Sequence, residues 1–200
     1  MKKQKTCSVI LAAGLSSRMG SFKPLLPIDG KPSILFLLDK FILAGVDSCV
    51  IVTGHNSEQI REACADRPHL IWGFNPEYAS TGMLESAKIG FSLVPPACDR
   101  VLLTPADIPL VKTETIRLLA ESEEPLLFPS YEYRKGHPVS ISAKLLPALL
   151  QYNGEKGLHG AFCSLPVEPA YLETDDKYIL MDMDTPEDYQ KLINSLEESV

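Results

Sequence analysis

The sequence predicts an α/β fold built on a mostly parallel central sheet, and three observations predict it. The run Ser8-Val9-Ile10-Leu11 has strand character and does not alternate with polar residues, as expected of a parallel strand buried on both faces. Residues Pro32 to Ala44 (PSILFLLDKFILA) read as an apolar helix closed by Gly45, and Ser48 to Thr53 (SCVIVT) as a second buried strand, which completes a βαβ unit. A length of 200 residues suits one α/β domain over residues 1–200, large enough to bury a substantial core.

Between that first strand and helix lies a polar loop. Residues Cys7 to Pro24 (CSVILAAGLSSRMGSFKP) leave the strand through Ala12, Ala13 and Gly14, whose small size lets a flat base or a phosphate approach the backbone from Leu11 onward. Arg18 and Lys23 add opposite charge, with Lys23 expected to be an exposed loop residue. Open α/β sheets place their ligands at the carboxyl ends of their strands, so this is a candidate phosphate site. Its spacing excludes two common alternatives. A dinucleotide fingerprint needs a glycine where Ser16 stands, and a P-loop needs a lysine directly after Gly20, where Ser21 and Phe22 intervene.

The remaining elements follow in order. Asn56 or Ser57 can cap a helix running to about Ala65, and His69 to Phe74 (HLIWGF) reads as a third strand. His55, just past a strand end, either lines the cleft or stands in water. A helix is expected from Leu84 to Leu93 and a fourth strand from Arg100 to Thr104, which delivers Asp107 at its carboxyl end between Pro105 and Pro109. A carboxylate there can hold Mg²⁺ against phosphate oxygens, although the same residues also suit a simple turn. Leu126 to Pro129 reads as a fifth strand, Tyr131 to Ser142 as a hairpin turning at Lys135-Gly136, Ala143 to Gln151 as a helix, and Tyr178 to Met181 as a last strand. Thr185 is an N-cap, with Pro186 at the first helical position and Asp188 placed to close a capping-box-like pair. Asp182 and Asp184, two apart on extended chain, share a face; Asp184 also suits the helix dipole.

Composition narrows the chemistry. At 45% hydrophobic and 22% charged residues the chain is globular, and its net charge of −7 argues against broad nucleic-acid binding, so the phosphate partner should be small. No stretch is long enough to span a membrane, and the basic start Met1-Lys2-Lys3-Gln4-Lys5 runs into the first strand without a cleavable apolar region, so a cytoplasmic protein off the membrane is expected. The five cysteines (Cys7, Cys49, Cys64, Cys98, Cys163) form no C-x-x-C pair, and the four histidines lack metal-ligand spacing, which leaves a hard cation on carboxylates as the expected metal.

The whole loop string, L-A-A-G-x-S-S-R-M-G-x-x-K-x-L-L from Leu11 to Leu26, resembles the signature loop of nucleotidyltransferases with a Rossmann-like fold, most closely the molybdenum-cofactor cytidylyltransferases. The resemblance implies a three-layer α/β/α, nucleotide-diphospho-sugar-transferase-like architecture and the transfer of CMP from CTP to molybdopterin with release of pyrophosphate. It implies Arg18, Lys23 and Asp107 as catalytic residues, and Leu11, Ala12, Ala13, Gly14, Arg18, Lys23, Asn75, Gly82 and Ser86 as nucleotide-binding. Mg²⁺ would sit on Asp107 and Asp184, while His137, in a Gly136-His137-Pro138 match, and Asp182 would face the second substrate. A molybdenum hydroxylase apoenzyme or its maturation factor would be the protein partner. The family's G-M-S-S-S-L-R is here Gly82-Met83-Leu84-Glu85-Ser86-Ala87-Lys88, so two expected serines near the base are replaced, and His159 replaces an arginine. Ala13, where the guanylyltransferase branch reads L-A-G-G, argues for cytidine. Other small-molecule nucleotidyltransferases of the same fold and a non-catalytic cofactor carrier are the alternatives.

Overall fold

The structure, a computed structural model, describes residues 4–197, so Met1 to Lys3 of the basic start lie outside it. The main sheet begins with β1 (Thr6–Ala12), every residue of which is buried. A polar loop and the small ladder β2 (Pro27–Ile28) with β3 (Lys31–Pro32) lead into α1 (Ser33–Leu43) and β4 (Ser48–Thr53). There follow α2 (Ser57–Ala63), β5 (Leu70–Phe74), α3 (Met83–Ser92), β6 (Arg100–Pro105) and α4 (Thr113–Glu121). The second half carries β7 (Leu126–Tyr131), β8 (Arg134–Lys135), β9 (Val139–Ser142), α5 (Leu146–Gln151), α6 (Gly157–Cys163), β10 (Ala170–Glu173) and α7 (Pro186–Glu197).

Strand order is β10-β7-β9-β6-β1-β4-β5, with β8 folded onto β7. The neighbours of β1 on both sides, β4 and β6, are parallel to it, and β9 runs antiparallel between β6 and β7. The sheet is therefore mostly parallel, as expected. Successive side chains of a strand point to opposite faces. Val9 and Leu11 accordingly join Leu84, Ala87 and Phe91 of α3 with Leu149 and Ala161 in one core layer, while Ile10 and Ala12 join Ile34, Leu37, Leu38 and Phe41 of α1 with Ile116 and Leu119 in the other. That double burial is the physical reason the first strand shows no polar alternation. Helices cover both faces in a three-layer α/β/α arrangement. Among the described residues no helix is long and apolar enough to cross a membrane.

Three local expectations are corrected. The hairpin turns at Glu132-Tyr133, both left-handed with φ of 50° and 62°, and not at Lys135-Gly136. Two adjacent positive φ values give the tight turn that matches strand twist, and the pairs Ser130 with Lys135 and Tyr131 with Arg134 follow from it. Gly136 serves a different need: a Cβ there would lie 2.5 Å from the Ile179 carbonyl oxygen. Second, Tyr178 to Met181 is not a strand. A 3₁₀ turn spans Lys177–Leu180, started by Asp176, whose carboxylate accepts from the Tyr178 amide at 3.1 Å. The segment is apolar because Tyr178 and Ile179 are buried, and the edge position goes to β10, paired parallel to β7, which sequence reading missed. Third, Asn56 is left-handed (φ 51°) and makes no side-chain cap to α2. The predicted cap of α7 is present: the Asp188 amide donates to Thr185 Oγ1 at 3.2 Å, and that hydroxyl donates to Asp188 Oδ2 at 2.7 Å.

Candidate active site

The loops that leave the carboxyl ends of β1 and β6 lie side by side because those strands pair in parallel, and the Ala106 amide closes the junction on the Leu11 carbonyl at 2.9 Å. Two adjoining hollows open there. The first is lined by Leu11, Ala12, Ala13 and Gly14 on one side and by Gly82 and Ser86 at the start of α3 on the other. The second is lined by Arg18, His137, Asp182 and Asp184, and Gly14, Ser16, Lys23 and Asp107 border both. Thus residues from the two halves of the chain meet in one cleft.

Lys23 stands at the junction. It opens a 3₁₀ turn (Lys23–Leu25) whose backbone is fixed from both sides: its amide donates to Ser16 Oγ at 3.1 Å, and its carbonyl accepts from Ser33 Oγ at 2.8 Å. The expectation of an exposed lysine is corrected, because its side chain is only 13% exposed. Its Nζ lies 3.0 Å from Asp107 Oδ2 and 2.5 Å from Asp184 Oδ1, and Arg18 Nη1 reaches Asp184 Oδ2 at 2.8 Å from a solvent-exposed position. Desolvation pulls the Lys23 pKa down, but the hydrogen bonds and charges of Asp184 and Asp107 outweigh it and hold the pKa above its ordinary value. Partial desolvation and then the charges of Asp184 and Asp107 hold the Asp182 carboxyl above its own. The Met183 amide donates to the Asp107 carbonyl at 3.0 Å, which ties the segment carrying Asp182 and Asp184 to the loop carrying Asp107.

This donor set fits a hard divalent cation. Two carboxylates from distant segments already converge on one positively charged nitrogen, and Mg²⁺ or Mn²⁺ takes one or two carboxylates and completes its shell with water and phosphate oxygens. Among the described residues no group of three or more His, Cys, Asp or Glu side chains is set to hold a metal alone, so substrate oxygens would complete the shell.

The other sequence-predicted residues divide. His137 lines the second hollow, its amide donating to the Ile179 carbonyl at 3.0 Å and its Nδ1 buried with no hydrogen-bond partner among the described residues; burial lowers its pKa against the opposing pull of the Leu103 carbonyl and Asp107. Asn75 lines neither hollow: it is 3% exposed and bonded within its own loop. Leu84, one of the replaced serine positions, is buried in the core on the inner face of α3 and lines neither hollow, and Glu85 is exposed in the helix's first turn, where a negative charge complements the dipole. His55 packs between Phe22 and Tyr78, with ring centroids 5.7 and 6.0 Å away, and lines neither hollow. His159 faces Cys163 on α6, away from both. Ser16 of the signature loop and Tyr78 of the Asn75-Pro76-Glu77-Tyr78 match line the first hollow, as does Thr81, which had not been singled out. Tyr78 is held close to the loop by Gly54: a Cβ there would lie 2.6 Å from Tyr78 Cβ and 2.7 Å from the Ala13 carbonyl oxygen, so only glycine lets these two walls close on the end of β4.

The chain is similar to several known proteins. The chain is 29% identical over 182 residues to the molybdenum cofactor cytidylyltransferase of Escherichia coli (strain K12), covering 90% of this chain and 92% of that one. It is 35% identical over 120 residues to the bifunctional protein GlmU of Xylella fastidiosa (strain 9a5c), covering 59% of this chain but spanning only 26% of that relative's length. Rv0371c from Mycobacterium tuberculosis H37Rv superposes with a TM-score of 0.83 at 25% identity over 96% of this chain and 100% of that one, and a structure of the same protein in complex with manganese with 0.78 at 24% over the same shares. The description of a MobA-like NTP transferase domain matches residues 8–167, which hold β1 from Ser8 onward, the polar loop, α3 and Asp107, and the chain belongs to that family of nucleotidyltransferases.

Proposed function

We propose that this chain, working as one domain over residues 1–200, is a molybdenum-cofactor cytidylyltransferase that transfers CMP from CTP to molybdopterin and releases pyrophosphate. One observation carries the reading: Lys23, Asp107 and Asp184 meet at the junction of two hollows, one walled by small residues and backbone, the other by charged side chains. Chemistry of this type is mostly positioning and charge neutralisation, and it requires no side-chain nucleophile. Backbone N–H groups from Leu11 to Gly14, with Gly82 and Ser86 opposite, would hold the base and phosphates, and Asn75 would act on the base through Ser86. Arg18 and Lys23 would leave their aspartates for the β- and γ-phosphates and the departing pyrophosphate. Asp107 and Asp184 would hold Mg²⁺, which when bound supplies charge neutralisation at the α-phosphate. His137 and Asp182 would border the incoming terminal phosphate of molybdopterin.

Ala13 in the loop and the long match to the Escherichia coli protein support cytidine and the molybdenum cofactor. The product would pass to a molybdenum hydroxylase apoenzyme or its maturation factor in the cytoplasm. The test is pyrophosphate release with each of CTP, GTP, ATP and UTP, with and without molybdopterin and Mg²⁺. Release that needs CTP, molybdopterin and the metal together is expected. Faster turnover with GTP would move the protein to the guanylyl branch, and no release with any triphosphate would favour the carrier reading.

A further inference from the structure

Asn75 follows β5 directly, and its side chain organises the wall that the first hollow shares with α3. Its Oδ1 accepts from the Glu77 amide at 2.9 Å, and its Nδ2 donates to Thr81 Oγ1 and to Ser86 Oγ, both at 3.0 Å. The orientation of the amide is set by chemistry, because the flipped side chain would point N–H at the Glu77 N–H. Each hydroxyl has one hydrogen to give. Thr81 gives its hydrogen to the Glu77 carbonyl at 2.8 Å. Ser86 receives from Asn75, so its lone pairs face the asparagine and its hydrogen is directed away from it. Ser86, 5% exposed, also lines the first hollow.

We infer that Asn75 is a positioning residue for base recognition: by donating to Ser86 Oγ it turns the Ser86 hydroxyl hydrogen into the hollow, making that wall a donor that takes a base edge made of acceptors. The inference rests on the cytidylyl reading. Cytosine offers two adjacent acceptors, N3 and O2, whereas uracil places an N–H donor at N3. A donor wall therefore accepts the first and opposes the second, and the selection is imposed by a side chain that never touches the nucleotide.

Asn75→Asp tests this at constant volume. The Glu77 amide keeps its acceptor, while the donors to Ser86 and Thr81 become lone pairs; surrounding donors hold the carboxylate ionised, and the Ser86 hydroxyl turns to donate to it, presenting a lone pair to the hollow. Affinities for CTP and UTP in Mg²⁺ are measured by titration calorimetry on wild type and variant. The preference for CTP over UTP is expected to fall by at least about tenfold, the size of setting like against like in a buried polar contact. The added charge weakens both nucleotides alike and cancels in the ratio. Ser86→Ala, which removes the donor and leaves Asn75 in place, is expected to lower the same ratio.

Equal weakening of CTP and UTP in Asn75→Asp is what a purely structural asparagine gives, and it overturns the inference. So does a wild type that binds the two equally. Should Asn75→Asp not fold, an unchanged ratio in Ser86→Ala overturns it as well. Faster wild-type turnover with GTP would remove the cytidylyl reading alone, since the ratio of the two pyrimidines still reports the polarity of the wall.

Discussion

Lys23→Met keeps most of the volume of the side chain and removes its ammonium group, so it isolates the charge that holds Asp107 and Asp184 together. Removing one partner of a fully buried pair costs about 3–5 kcal/mol. Here the aspartates keep 24% exposure and Arg18 still reaches Asp184, so water and one remaining cation offset part of that cost. A loss of about 1–2 kcal/mol remains. For a chain of this size that corresponds to a fall of about 2–8 °C in thermal midpoint. The pKa of Lys23 is raised in the folded state, so its stabilisation is fully present below the ordinary value of 10.5 and is lost only as pH rises through the raised one. The gap between wild type and variant should therefore be flat across the neutral range. Melting curves followed by circular dichroism at several pH values, each with and without millimolar Mg²⁺, read this directly. Added Mg²⁺ should raise the variant's midpoint more than the wild type's, because no ammonium competes for the two carboxylates. Turnover should drop by about two to three orders of magnitude, as for removal of one preorganised charge from the transferring phosphates. Equal midpoints, together with an equal response to Mg²⁺, would refute the reasoning by showing that the ammonium holds nothing in the ligand-free protein.

Asp107→Asn and Asp184→Asn should each lower Mg²⁺-dependent turnover by at least about two orders of magnitude, with the double variant little worse than either single one, since parts of one functional unit are strongly non-additive. Kinetics in which the two penalties multiply would separate their roles. Asp107→Asn leaves Lys23 paired with Asp184, so its midpoint should move less than that of Lys23→Met, and a larger fall would count against the shared arrangement. Lys40 donates to the Leu110 and Val111 carbonyls, both at 2.9 Å, just beyond the Asp107 loop, and burial pulls its pKa to about 8 against the charge of Asp176. Between that value and the ordinary 10.5 the folded state holds fewer protons than the unfolded, so this group adds stability as pH rises. The stability difference between wild type and Lys40→Met should accordingly move in favour of the wild type across that window in denaturant titrations, and a difference that stays constant would refute it.

Much of the architecture was legible in the sequence because its signals are local. Strand β1 announces double burial in consecutive apolar residues, Thr185-Pro186 with Asp188 announces a helix start, and the small residues Ala12 to Gly14 line a hollow at the strand's carboxyl end. Each follows from a few neighbouring residues whose propensities agree with the fold. Tyr178 to Met181 misled for the same reason: apolarity marks burial, and a buried 3₁₀ turn is as apolar as a strand. The site itself was legible only as a set of candidates. Lys23 pairs with Asp107 across 84 residues and with Asp184 across 161, and no local pattern encodes that a loop lysine will lie under two carboxylates and so be nearly buried. Asn75 looked like a group that faces the nucleotide and lies behind the wall, because Glu77, Thr81 and Ser86 together satisfy its amide. Local motifs and the family resemblance named the candidate residues, whereas the parallel pairing of β1 with β6 and the tether from Met183 to Asp107 decided which of them meet, since charge and hydrogen-bond partners are set by distances that only the packed chain fixes.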